Sequence, residues 1–391
     1  MKRLLIRLFR NEKLQGFTIP LCALALSLIA ITVLILVIGK NPLDVFRSLL
    51  AGSGWIPKTN YAGGKSQLTD FVTMLDNLTP MLFAALAVTA ALRCGLFNIG
   101  VSGQMLAAGF IATVLVGYSD MGAFIAKPLV LIIGAAVGAL VGACIGWLKH
   151  QFNIHEVVSS IMLNNIVMYF VSYMIKSQYR DPVTQQSRVI SSAARLVSAP
   201  VTIGGVTMQF PLGLPLALIA AVALMFLFTK TTVGLELTAV GKNPKAAQYY
   251  GIKVGRARIF AMILSGALAG LAGVTLYLGL LRSIVPSSLT SVGFDSIAVA
   301  LLGNTHPLGV ILSSILLTTL TNGATYMSSI VGVRQEIASL IVGLVLLFSA
   351  CGGFIKLWID RVSQTESLPY DDAQPPATPE EVLGNEGVVR T

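Results

Sequence analysis

The stretch "TAVGKNPKAAQYYGIKVGRARIF", residues 238–260, decides how the rest of the chain is read. Asn243 suits a helix cap, because its side-chain oxygen can accept from the first free amides. Pro244 suits the first helical position, having no amide hydrogen to lose, and Gly251 can take the left-handed position that closes a helix. Barely two turns lie between them. A helix that short is marginal alone in water, so something outside it must hold it. Either it packs on its own bundle, or it docks into a partner, with Ala246 and Ala247 offering a small-residue surface and Tyr249 and Tyr250 larger contacts.

The flanks of this stretch are apolar, and so is the chain. Of 391 residues, 55% are hydrophobic and 11% charged, with a mean hydropathy of +0.80. That lies outside soluble composition and reads as an integral membrane protein. Apolar runs recur at 17–38, 96–116, 128–148, 154–175, 212–228, 259–281, 308–326 and 338–355. Most reach the roughly 20 residues that cross a hydrocarbon core as a helix. Residues 78–92, interrupted by Pro80, and the short 292–302, which contains Asp295, are counted with them. The expected fold is therefore all-α: a polytopic membrane helix bundle of about ten transmembrane helices with both termini cytoplasmic.

The net charge of +10 follows this topology rather than a nucleic-acid surface. Lys2, Arg3, Arg7, Arg10 and Lys13 form a basic cytoplasmic segment, 1–16. Arg93, Lys149, the loop at about 230–257 and Lys356 with Arg361 then fall on the same side. Residues 17–359 form the membrane domain. The tail at 360–391, including "DDAQPPATPEEVLGNEGVVRT", is acidic, contains prolines, and is too poor in large apolar residues to fold. Outward polar loops are expected at about 40–70 and 176–210. Cys22, Cys94, Cys144 and Cys351 lack paired spacing, which suggests neither disulfides nor a metal site.

Close helix packing is written into several runs. In "IIGAAVGALVGACIGW", residues 132–147, Gly134, Gly138, Gly142 and Gly146 lay a smooth ridge where another backbone can approach. Gly266, Gly270, Ala269 and Gly273 repeat the device. Ten helices divide into five plus five, and an odd number per half would make an internal repeat inverted in the membrane.

Four stretches in order carry a family resemblance: "RCGLFNIGVSGQMLAAG" from Arg93, "IHEVVSSIMLNNI" from Ile154, "VGLELTAVGKNPKAAQYYGIKVGRARIFAMILSGALAGLAG" from Val233, and "GFDSIAVALLGNTHPLGV" from Gly293. Together they resemble ABC-importer permeases of the branched-chain amino acid, simple-sugar and nucleoside group, most of all the nucleoside branch. The resemblance implies that the 241–251 helix couples to a separate ATPase subunit, through Gly241, Lys242, Asn243, Pro244, Lys245, Ala246, Ala247, Tyr250 and Gly251. It also implies a second permease subunit, identical or related, and an extracytoplasmic substrate-binding protein. ATP and magnesium would sit on the ATPase, with no cofactor on this chain. The family usually has Glu where Ser102 stands, so no carboxylate function carries over to that position.

Polar residues inside a bilayer usually face protein or water. Asn153 and Glu156 have capping-box spacing at a helix start. Asn164 and Asn165 are either interhelical glue or lining of a path, and Gln104 follows Gly100 and Gly103, which weaken the helix there. Asp295 either lines the path or satisfies helix ends. Phe97, Asn98, Gln104, Asn164, Asn165 and Asp295 are the expected path residues, suited to a neutral polar solute. Nucleosides are the expected substrate, with simple sugars or branched-chain amino acids as alternatives. The chain has no Gly-rich phosphate loop ending in Lys-Ser or Lys-Thr and no nucleophile–base pair, so a transport subunit is expected rather than an enzyme. An ion-coupled secondary transporter is the rival class, but it leaves the capped helix without a task.

Overall fold

The computed structural model describes residues 12–61, 65–203 and 205–350. Residues 20–350 form one compact unit; of the other, only residues 12–19, at the start of α1, are described. The basic residues before Glu12, Cys351, Lys356, Arg361 and the acidic tail lie outside the described residues.

The helices run α1 Glu12–Val37, α2 Pro42–Gly52, α3 Gln67–Arg93, α4 Val101–Ala112, α5 Ala123–Phe152, α6 Glu156–Met174, α7 Gly213–Lys230, α8 Thr232–Lys242, α9 Pro244–Tyr249, α10 Val254–Thr275, α11 Val292–Leu302, α12 Pro307–Val331 and α13 Gln335–Ala350. Six described helices are long and apolar enough to cross a membrane, or seven if α1 and α2, bent by 115°, count as one span. The chain is thus a multi-pass helical bundle.

Two expectations about span length change. Residues 78–92 form the end of a 27-residue helix, α3, whose polar first turns are helical because Ser66 and Thr69 cap them reciprocally. From Leu78 to Ala91 this helix is buried throughout, so the interrupted run is a central element. The 96–116 run, by contrast, becomes a helix only at Val101. Gly95, at φ 71°, and the turn that follows break the chain first.

The glycine ridges find each other. α5 and α10 pack with backbones in contact: a Cβ on Gly138 or Gly142 would overlap the carbonyl of Gly266 or Met262, and one on Gly270 would overlap that of Gly134. Only glycine permits this approach, and the seam holds α10 against α5 along most of its length. Gly273, on another side of α10, lies equally close to Met105 of α4.

Contacts sort the helix ends into two groups. Around α8 and α9 gather Gly95, packed on Gly241, and Gly255, packed on the His150 ring. Arg93 joins them, its Nε donating to the Thr305 carbonyl at 2.9 Å. Around residues 180–212 gather Lys127, which donates to the Val197 carbonyl at 2.8 Å, and the carbonyls of Gly117 and Leu278, which accept from Ser191 and Leu196.

Neither expected outer loop is featureless. The first carries α2, capped by Asn41, and it is pinned by Ser53, whose hydroxyl donates to the Thr319 carbonyl at 2.6 Å. The second carries a two-stranded antiparallel ribbon, β1 Val201–Ile203 and β2 Val206–Met208. Where it meets the bundle, α4, α6 and α10 each widen into a single π turn, at Thr113–Gly117, Ile175–Tyr179 and Leu276–Leu280. Such turns are uncommon and concentrate at functional places.

Candidate functional site

The capped helix forms as its residues dictate. Asn243 is extended, and its Oδ1 accepts from the amides of Lys245 and Ala246, both at 3.1 Å. Pro244 opens α9, and Gly251 closes it at φ 82°. One part of the expected surface is corrected. Ala247 is 3% exposed and packs into an inner cluster with Leu96, Leu237 and Met262, so it holds α9 to its own bundle and cannot enter a partner. Tyr249 and Tyr250, 94% and 88% exposed, carry the free face instead. Lys242 and Lys245 are exposed beside them.

Beneath α9 lies a joint that the sequence reading passed over. Gly241 rests on the Arg93 carbonyl, and Gly95 rests on Gly241, so the end of α8 touches the end of α3 without an intervening side chain. Arg93 also reaches the Phe228 ring at the foot of α7, 5.5 Å from its centroid. Burial, and then the Arg93 charge, hold His306 below its ordinary imidazole value, which keeps it neutral beside the guanidinium at neutral pH. Four chain segments therefore meet under α9.

Deeper in, the break before α4 is fixed by a buried amide network. Asn98 accepts from the Gly100 amide at 2.9 Å and donates to Gln104 at 3.0 Å and to Ser265 at 2.8 Å. Ser265, on α10, donates in turn to the Ala87 carbonyl at 2.6 Å. Asn164 accepts from the Gly103 amide and donates to the Ile99 carbonyl, both at 3.0 Å, which ties α6 to the irregular backbone. These groups satisfy one another, as buried amides must. Asn165 points the other way: it is exposed and bonds only to Ile161 of its own helix. The structure thus brings Asn98, Gln104 and Asn164 together and leaves Asn165 apart. Ser265 was missed because a lone serine in an apolar run carries no signal.

The two short helices begin against each other. Ser102, in the first turn of α4, is buried and donates to the Thr290 carbonyl at 3.0 Å, just before α11. Gly293, in the first turn of α11, lies so close to Ser102 that a Cβ would overlap its Oγ. Asp295, half-buried, lies in the first turn of α11, and Phe97, also half-buried, lies in the break before α4.

The expected capping box is not formed. Asn153 sits at φ 52°, the left-handed residue that ends α5, and His155 caps α6 instead, its Nδ1 accepting from the Val157 amide at 3.3 Å. Reversing the chain in three residues requires one left-handed position, and Asn tolerates it better than its neighbours. Glu156 instead pairs with Lys149 at 2.9 Å, joining the two helix ends.

Among the described residues, no group of three or more His, Cys, Asp or Glu could hold a metal ion. The chain resembles several transport proteins over most of its length. It is 33% identical to the nucleoside ABC transporter permease protein NupB of Lactococcus lactis subsp. cremoris, over 90% of this chain and 95% of that protein. It is 36% identical to the guanosine ABC transporter permease protein NupP of Bacillus subtilis, over 90% and 98%. The glucose ABC transporter permease protein TsgB13 of Haloferax volcanii is 30% identical, over 78% and 82%. Residues 71–350 match the family described as branched-chain amino acid transport system / permease component. The chain belongs to that family, and is accordingly an ABC transporter permease, a membrane transport subunit rather than an enzyme.

Proposed function

We infer that the chain is one of two permease subunits of an importer that carries nucleosides across the cell membrane, driven by ATP hydrolysis on a separate ATPase. The observation that carries this reading is the pair of nucleoside and guanosine permeases that match nine-tenths of the chain. The glucose permease, less similar and covering less, makes a simple sugar the second reading, with a branched-chain amino acid behind it. An extracytoplasmic binding protein delivers the solute, and ATP with magnesium stays on the ATPase.

In this reading the ATPase engages α9 through Tyr249, Tyr250, Lys242 and Lys245, and the Gly241–Arg93 joint passes its movement to α3. Ten crossings with both termini cytoplasmic fit the sorting of helix ends. α4 runs from the α9 side to the loop at 180–212, and the segment at 281–302 returns the other way, although α11 alone is only about 16 Å long at 1.5 Å per residue. The two short helices then fall third in each five-helix half, consistent with an inverted repeat. Discontinuous helices in corresponding places point to the solute path. That path passes the facing starts of α4 and α11, by Phe97, Asn98 and Asp295, with Gln104 and Asn164 holding the break open from behind.

Uptake of labelled guanosine, uridine, ribose, glucose and leucine by cells with the complete set of subunits, against cells lacking this chain, tests the substrate. Loss of guanosine and uridine uptake alone is expected. Loss of sugar or leucine uptake with nucleosides spared would overturn the assignment.

A further inference from the structure

An open cleft of about 480 Å³ lies where the first turns of α3 meet the 180–212 segment and the end of α10. Its volume falls within the roughly 300–1,000 Å³ that accommodates small molecules. Thr69, Thr73 and Asp76 line it from α3, Arg195 and Gln209 from the loop, and Arg282 from just beyond the π turn. None of these belongs to the path residues described above.

The groups in the cleft are prepared rather than merely present. Arg195 is held from behind, its guanidinium donating to Gln209 Oε1 at 3.2 Å and to the Gly279 carbonyl at 3.4 Å. Its Nε is buried without a hydrogen-bond partner. Arg195 lies within electrostatic reach of both Asp76 and Arg282, yet none of the ion pairs among the described residues involves Asp76. The cleft therefore offers a carboxylate that accepts, two guanidinium groups that donate, and hydroxyls that do either.

We propose that this cleft is a binding site for a nucleoside at the outer mouth of the permease, with Asp76 accepting from the ribose diol and Arg195 and Arg282 donating to acceptors on the base. The proposal rests on the nucleoside reading above. A vicinal diol presents two adjacent O–H donors to the two carboxylate oxygens, and a base carbonyl with a neighbouring ring nitrogen matches a guanidinium fork. A phosphate would pair with the guanidinium groups but bring a second negative charge into the cleft with Asp76, which an uncharged nucleoside avoids.

The test is equilibrium binding of labelled guanosine to the complete permease–ATPase assembly in lipid nanodiscs, without the binding protein. Wild type, Asp76→Asn and Arg282→Gln are compared, together with binding of 2′,3′-dideoxyguanosine, guanine and guanosine monophosphate to wild type. Saturable guanosine binding is expected, weakened about tenfold or more in each variant and equally weakened by removing the diol. Arg282 is exposed, so its variant reports on the cleft even where Asp76→Asn disturbs α3. No saturable binding by wild type, unchanged affinity in Arg282→Gln, equal affinity for the dideoxy compound, or tighter binding of the monophosphate would each overturn the proposal. Guanosine uptake by the wild-type importer is measured alongside. Uptake without cleft binding sinks the cleft alone, whereas absence of nucleoside uptake sinks the reading on which it rests.

Discussion

Gly241 lies against the carbonyl of Arg93 so closely that a Cβ at 241 would overlap it. The end of α8 and the end of α3 are thereby in backbone contact, a rigid connection with no side chain to yield. Gly241→Ala would gain helix propensity locally, yet the overlap with backbone dominates and forces α8 away from α3. The expected result is an importer that assembles and hydrolyses ATP but transports several-fold less per ATP, with bundle stability lowered by about 1–3 kcal/mol. ATPase activity and uptake measured on the same proteoliposomes report the ratio.

The free face of α9 makes a different prediction. Tyr249→Ala and Tyr250→Ala remove exposed rings, so bundle stability should move by no more than about 0.5 kcal/mol. Their effect should appear instead as weaker association with the ATPase in a pull-down. Ala247→Arg should do the reverse and unsettle the bundle itself, because position 247 is buried in the inner cluster.

The α5–α10 seam depends on the absence of side chains. Gly138→Val puts three carbons where the Gly266 carbonyl and Gly270 backbone already stand, and should destabilise the chain by about 3 kcal/mol or more. Thermal unfolding in detergent, followed by size exclusion, would show it. An unchanged midpoint would mean that the two helices are not paired in this register.

Asn164 and Asn165, adjacent in sequence, should behave oppositely. Asn164→Ala leaves the Gly103 amide and Ile99 carbonyl unpaired in a buried place, at a cost of about 1–3 kcal/mol. Asn165→Ala removes only a bond to its own helix and should be near neutral in stability. Thermal midpoints of the two variants, measured side by side, separate the roles.

Much of this was legible where chemistry is local. The Asn-Pro start and Gly end of α9 follow from amide bookkeeping within a few residues, and the glycine ridges announce close approach whatever their partner. What the chain did not disclose depends on distant neighbours. Ala246 and Ala247 look alike in sequence, and only the bundle decides that Ala247 is covered. The helical first turns of α3 are too polar to read as part of an apolar span, because their capping rather than their hydropathy makes them helical. Asn153 and Glu156 have the spacing of a capping box, but the tight turn after α5 claims Asn153 for a left-handed conformation. The Gly241–Arg93 joint and the Asn98–Ser265 bond join remote residues with no pattern between them, and no reading of either stretch alone finds them.

In the proposed function this chain moves nucleosides only when an ATPase drives it. Labelled guanosine uptake into proteoliposomes tests it most directly, using this chain with its partner permease, ATPase and binding protein, with and without ATP, and then without the ATPase. Guanosine accumulation should require both ATP and the ATPase and be lost when either is withheld. Guanosine accumulation driven by a sodium or proton gradient in the absence of the ATPase would contradict it, as would ATP-driven uptake of glucose or leucine with none of guanosine.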